Sequence, residues 1–269
     1  MNMLIRKHLL ALAGTGCLIM AAGSMPAIAS DGPPASPAKP DRVMGERIVD
    51  SMEERMRGAG SVGEMEMFIQ RWNRTMRMKF WEQYPDHSLV RITAPAEDAG
   101  VGSLKLGRDL WTYNPKIDQV QKVPPSLMLD SWMGSDFTND DVSRASSLRH
   151  DYDPDVPEAS EWDATPTWRV PLIPKPSSPV VWEKVVIEVA RDDYRPLRQE
   201  YYDETGKLAR YMVFSDYRKL DDGRSYPFRW RMESLQEKGR YTEIRVLSMS
   251  FKEKVPGSVF SIRALKRAR

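Results

Sequence analysis

Cysteine is nearly missing from this chain. Cys17 is the one example, and it lies in an N-terminal stretch that reads as a signal peptide. Everything after that stretch therefore has no disulfide, thiol nucleophile or thiolate metal ligand, and its stability must come from its core. Histidine is almost as scarce. Beyond the same stretch only His87 and His150 occur, and they have no metal-ligand spacing. A Gly-x-Ser-x-Gly elbow and a phosphate-cradling glycine loop are both lacking. Asp151-Tyr152-Asp153-Pro154-Asp155 alternates carboxylates as a calcium loop does, but it lacks the turn glycine and the closing glutamate, and proline interrupts it. These gaps lead us to expect no enzymatic activity, cofactor or metal. Net charge is lacking too. The chain has 40 Lys/Arg and 38 Asp/Glu, and without residues 1–29 the two signs balance. Such a chain has no basic excess from which to build a nucleic-acid stripe.

What is present begins with an export signal. Arg6 and Lys7 precede an apolar run, Leu9 to Ala22, that is too short for an ordinary membrane span. Ala27-Ile28-Ala29 supplies a small-x-small cleavage pattern. Residues 1–29 are thus expected to be removed near Ala29. Gly14-Thr15-Gly16 before Cys17 does not fit a lipidation signal. Residues 30–40 are rich in Pro, Ala, Ser and Gly and read as a flexible spacer. Residues 41–269 contain no further linker and are expected to form a single domain.

Asp41 is placed to cap a helix running to about Arg57, with Met44, Ile48, Met52 and Met56 in one apolar stripe. After Gly58 and Gly60 the period drops to two. Met65, Met67 and Ile69 alternate with polar residues, as do Met76, Met78 and Phe80, with Asn73 at the turn between. Further strands are expected near 88–93, 102–106, 109–113, 119–123, 181–190, 197–203, 207–216, 225–233 and 240–251. Proline density over 124–180 limits the strands expected at 148–152 and 165–173 to sheet edges. Short Gly- and Asp-bearing connections make the order antiparallel. About eleven strands with one helix give a mainly β fold with a long N-terminal helix. The sheet is expected to be strongly curved and antiparallel, an open half-barrel around a helical plug or lid.

A hollow of this kind suits an apolar ligand. Candidate cavity residues are Met65, Met67, Ile69, Met76, Met78, Phe80, Trp111 and Tyr113. The chain has 16 Met, and Met is a soft, repackable wall material. The loop Ser131-Trp132-Met133-Gly134-Ser135-Asp136-Phe137 is aromatic and acidic at once. Trp132, Met133 and Phe137 are its candidate lid or partner contacts. Asp136, Asp140 and Asp141 suit either capping of a short helical turn or contact with a partner.

Asp109-x-Trp111-x-Tyr113-x-Pro115, the Met133-Gly134-Ser135-Asp136-Phe137-Thr138-Asn139-Asp140-Asp141 loop and the ending Pro256 to Leu265 resemble the outer-membrane lipoprotein-sorting proteins, the LolA-like family. The resemblance covers roughly 41–269. It implies an unclosed β-barrel with helices as a lid, located in the periplasm and most simply a monomer. It also implies a carrier or chaperone for lipoprotein acyl chains or other lipids bound for the outer membrane, with an inner-membrane transporter and an outer-membrane acceptor as partners. The alternative it leaves open is a non-carrier module of the envelope, accessory to an export pump or acting as a stress sensor.

Overall fold

The structure is a computed structural model. It describes residues 39–267 apart from 145–147, 177, 179, 238 and 253, so the stretch read as a signal peptide, Cys17 and most of the stretch read as a spacer lie outside the described residues. Helix α1 (Arg42–Met56) opens on Asp41, whose carboxylate accepts from the Met44 backbone N–H at 2.8 Å. Gly45, Ile48, Val49 and Met52 are buried, while Met44 and Met56 of the expected stripe are half-buried. Gly45 lets the helix approach the chain closely, since a Cβ there would stand 2.2 Å from the Asp155 carbonyl oxygen. At 15 residues α1 is a helix of ordinary length rather than the long one expected.

Strands β1 (Gly60–Ile69), β2 (Arg74–Gln83), β3 (His87–Ala94), β4 (Gly102–Leu106), β5 (Asp109–Asn114) and β6 (Gln119–Lys122) form an antiparallel meander. Helices α2 (Asn139–Arg144) and α3 (Leu148–Asp151) interrupt the middle of the chain. A second run follows: β7 (Tyr152–Pro154), β8 (Glu158–Trp162), β9 (Thr165–Pro174), β10 (Lys184–Ala190), β11 (Pro196–Tyr202), β12 (Leu208–Lys219), β13 (Ser225–Ser234) and β14 (Tyr241–Lys252). Helix α4 (Ile262–Lys266) comes last. The pairing of β1 with β14 joins the two runs into one sheet of 14 strands. Its order is β6-β5-β4-β3-β2-β1-β14-β13-β12-β11-β10-β9-β7, with β8 also on β9, and it does not close on itself.

Two local expectations are corrected. The strand expected at 148–152 is the turn of helix α3 running into the short β7. Strand β9 is not an edge, because β10 pairs one side and β7 and β8 pair the other. Pro171 is tolerated because it falls in the gap between the β8 ladder, which ends at Arg169, and the β7 ladder, which begins at Leu172.

The sheet is strongly curved. Strands β3 and β10 are seven ladder steps apart, about 34 Å if the sheet lay flat. Yet Val90 of β3 and Val185 of β10 line one cavity. The main core, which includes Ile48, Met67, Met76, Met78, Val170 and Ile187, lies on the inner face against α1. The outer face is covered in two ways. Over β2–β5 the C-terminal segment packs Val255, Phe260 and Leu265 onto Leu89, Leu104 and Tyr113. Further along, charge ladders take over. Arg169 bonds Glu200 at 2.7 Å and lies 3.3 Å from Glu188, and Glu243 receives both Arg229 and Arg245 at 2.7 Å.

Leu265 is fully buried, so Leu265→Ala should destabilise the fold by about 2–5 kcal/mol. Urea denaturation followed by tryptophan fluorescence would register it. A change of a few tenths would mean that the C-terminal segment is not part of the core.

Candidate functional site

A cavity of about 320 Å³ lies between α1 and the inner face of the sheet. Its walls come from both halves of the chain. Met52 and Met56 of α1, Met65, Phe80 and Val90 form one side, and Val185, Tyr201, Met212, Phe214, Ile244 and Val246 the other. Cross-strand register explains the lining. On the inner face Met67 stands opposite Met76, Met65 opposite Met78 and Gly63 opposite Phe80. The Phe80 ring lies directly over Gly63, where a Cβ would meet it at 2.6 Å. One row further on the inner face turns polar. Ser61 pairs Glu82, Glu82 pairs Ser88 and Ser88 pairs Lys105. The Ser61 hydroxyl donates to Glu82 at 2.6 Å, and the Lys105 ammonium donates to the Pro85 carbonyl at 3.3 Å. A smaller pocket at this end is lined by Arg57, Glu82, Ser88 and Lys105, of which all but Lys105 also line the main cavity. The hollow is thus greasy in its depth and polar where β1 begins and β2 ends.

The other end is plugged by the 131–141 loop. Ser131 bridges Thr138, the Trp132 N–H donates to the Phe137 carbonyl at 2.8 Å, and the Ser135 hydroxyl donates to the Trp132 carbonyl at 2.6 Å. Met133 and Gly134 both take left-handed backbone conformations, with φ 54° and 78°. That turn aims Trp132 inward, where its indole N–H donates to the Ser103 hydroxyl of β4 at 2.9 Å. Asp136 fastens the loop to β14. Its backbone N–H donates to the Thr242 hydroxyl at 2.9 Å, and that hydroxyl donates back to its carboxylate at 2.7 Å. Arg240 adds an ion pair at 2.5 Å. Arg210 of β12 donates to the Asp136 carbonyl at 2.9 Å and to Asp141 at 2.6 Å. Thr138 and Asp141 cap α2 reciprocally, each side chain bonding the other's backbone N–H. Capping therefore describes Asp141, whereas Asp136 is an anchor to the sheet.

The structure distributes the sequence candidates unevenly. Met65 and Phe80 line the cavity. Met67, Ile69, Met76 and Met78 face the same side but are packed into the core beside it, each at most 1 % exposed. Trp111 and Tyr113 are corrected. They lie on the outer face, in the cluster covered by the C-terminal segment, because the residues of β5 that face inward are Leu110 and Thr112. Trp132 and Phe137 are buried and line the cavity, so they are turned inward rather than offered to a partner. Met133 is half-buried against the core. Sequence reasoning missed the walls from β10–β14 and Trp182. Period-two alternation was available there, but alternation alone does not say which face is concave. His87 and His150 do not converge. His87 lies against the Phe260 ring, 5.5 Å between centroids, and His150 lies 3.2 Å from an Arg108 nitrogen. Among the described residues no three His, Asp or Glu side chains are grouped to hold a metal.

Burial sets the titration of the site. It raises the Tyr201 and Tyr226 hydroxyls well above the usual phenol range, so both stay neutral. Burial likewise lowers the Lys105 ammonium to about 8, against the pull of Asp86, Glu82 and Asp151.

The same fold is found in known structures. A family model described only as "-like: Uncharacterized protein" matches residues 85–267. The chain belongs to that family, and its fold is LolA-like. A domain from Vibrio parahaemolyticus, described as an outer membrane lipoprotein-sorting protein, is 23% identical with TM-score 0.74, covering 84% of this chain and 100% of that one. A DUF1329 family protein from Desulfovibrio piger is 24% identical with TM-score 0.77, covering 85% and 100%. A LolA superfamily protein from Nitrosomonas europaea is 21% identical with TM-score 0.69, covering 82% and 98%. No functionally curated protein matches the sequence. No helix of the LolA-like chain is long and apolar enough to cross a membrane, among the described residues.

The anchor of the plug is testable. Asp136→Ala leaves Arg240 and Thr242 without their buried acceptor and should cost about 3–5 kcal/mol. Thermal melting of the variant beside Thr242→Val, which is expected to lose less, would grade the two contacts.

Proposed function

We propose that this protein is a periplasmic carrier that shelters the acyl chain of a lipid or lipoprotein in the cavity under α1, on its way toward the outer membrane. The observation that carries the reading is the cavity itself, about 320 Å³ of space lined mostly by apolar and aromatic side chains. That volume is within the range of small-molecule sites, about 300–1,000 Å³. Removing an acyl chain from a bilayer costs about 0.8 kcal/mol per methylene, so ~14 methylenes cost roughly 11 kcal/mol. The cavity must return a similar amount without preventing release. Met52, Met56, Met65 and Met212 can repack around chains of different length, which lets one wall balance capture against delivery. Transfer then needs no catalytic step, only different affinities at donor, carrier and acceptor. The polar row Ser61, Glu82, Ser88 and Lys105 supports an orientation in which the hydrocarbon lies deep and any head group stays near that end. The alternative of a non-carrier partner module loses its main support, because the aromatic side chains of the 131–138 loop are spent on plugging the hollow.

Native mass spectrometry of the protein released from the periplasm should show a co-purifying lipid. Met212→Trp, which fills the cavity from β12, should lower that occupancy several-fold with the circular dichroism spectrum unchanged. A wild-type protein that stays empty and takes up no lipid from vesicles would end the carrier reading.

A further inference from the structure

Arg57, Glu82 and Ser88 line both the apolar cavity and the smaller pocket of about 60 Å³ beside it. They form the neck at which a ligand seated in the hollow would show its polar end. The charged groups here are not equally engaged. Arg57 has Glu53 at 3.1 Å. Lys105, on the pocket side, is buried and donates to the Pro85 carbonyl at 3.3 Å. Asp141, another acid of the cavity wall, is held by Arg210 at 2.6 Å. Glu82 differs from all of these. It is exposed, and among the described residues it has no ion-pair partner. The Ser61 hydroxyl donates to its Oε2 at 2.6 Å, and its Oε1 accepts no hydrogen bond among the described residues. Its charge also acts into the hollow. Burial raises the Tyr226 hydroxyl of the cavity wall, and Glu82 adds to the rise.

A second acceptor stands beside it. Ser88 of β3 is directly opposite Glu82 of β2 in the ladder, a pairing that puts Cβ atoms about 4.5–5.5 Å apart. Ser88 is half-buried, and its hydroxyl makes no hydrogen bond among the described residues. The neck therefore offers a carboxylate oxygen and a hydroxyl oxygen side by side, with a negative charge that no neighbouring cation pairs.

We propose, on the carrier reading above, that this neck recognises a primary ammonium on the polar end of the ligand, held by Glu82 and the Ser88 hydroxyl. An anionic head group would meet cations already engaged by Glu53 and the Pro85 carbonyl, and would stand beside the unpaired Glu82. A neutral polyol can donate to both oxygens but leaves the charge unbalanced. A quaternary ammonium balances the charge but has no N–H to give. A primary ammonium supplies three donors and the charge, one N–H to each oxygen and the third to water. The aminoethyl phosphate of a phospholipid and the free α-amine of a lipidated peptide share this group.

The test uses the protein purified from the periplasm and delipidated, titrated with 1-myristoyl-lysophosphatidylethanolamine and with its choline and glycerol counterparts. The ethanolamine lipid should bind more tightly than either by roughly 3- to 10-fold, the ratio expected of one charge-assisted contact at an exposed site. Glu82→Gln, which still accepts from Ser61, should remove that preference with the melting temperature unchanged. In 1 M salt the wild-type preference should shrink, because an exposed pair is screened. A diacylglyceryl-cysteine peptide with a free α-amine, set beside its N-acetylated form, tells the two sources apart: tighter binding of the free-amine peptide than of the ethanolamine lipid assigns the neck to lipidated peptides, and the reverse assigns it to aminophospholipids. Equal binding of the three head groups, or a preference that survives Glu82→Gln, overturns this proposal alone and leaves the carrier reading standing. No binding of any of the compounds overturns both.

Discussion

Everything in this fold depends on a loop being held across the inside of a curved sheet. Asp136 is bound by Thr242 of β14, by Arg240 just before that strand and by Arg210 of β12, while Trp132 reaches Ser103 of β4. In a flat sheet β4 and β12 would be six ladder steps apart, about 29 Å. One short loop bonds to both, so the loop and the curvature require each other. Without it, the inner ends of β1, β2 and β14 would open a second mouth to water, and the hollow would be a trough. An ion pair and a hydroxyl relay inside an apolar space are costly to desolvate, and they are retained here where geometry satisfies each of the main oxygen atoms.

Curvature also divides the labour of the two faces. Rows of Met, Phe, Val and Ile fill the concave face until the row of Ser61, Glu82, Ser88 and Lys105, so polarity changes along the strand axis rather than across the sheet. The convex face has no hollow to line. It is closed over β2–β5 by the C-terminal segment and elsewhere carries Arg–Glu ladders such as Arg169 with Glu188 and Glu200. A wall that is soft on one side and cross-braced on the other can change its contents without losing its shape.

The strands of the first meander were legible because their alternation is strict. Met76, Arg77, Met78, Lys79 and Phe80 can be read in one way only, and the observed β2 has that burial. The helix cap at Asp41 was equally plain. The region 148–174 was not, since its prolines argue for an edge and only the tertiary arrangement supplies the gap between β7 and β8 in which Pro171 fits. Trp111 and Tyr113 were misassigned to the hollow for a related reason. Alternation tells that two residues share a face, and the C-terminal segment that makes theirs the convex face is about 150 residues further along the chain.

By itself the sequence determined the elements outside 124–180, their antiparallel order and the apolar character of one face of most strands, because these follow from periods of 3.6 and two and from local turn chemistry. It also determined that no cysteine would be available beyond the N-terminal stretch. Tertiary structure decided which face is concave, which end is plugged and which residues line the hollow. Those properties depend on the sign of the sheet's curvature and on contacts such as Asp136 with Thr242, 106 residues apart, which no local pattern encodes.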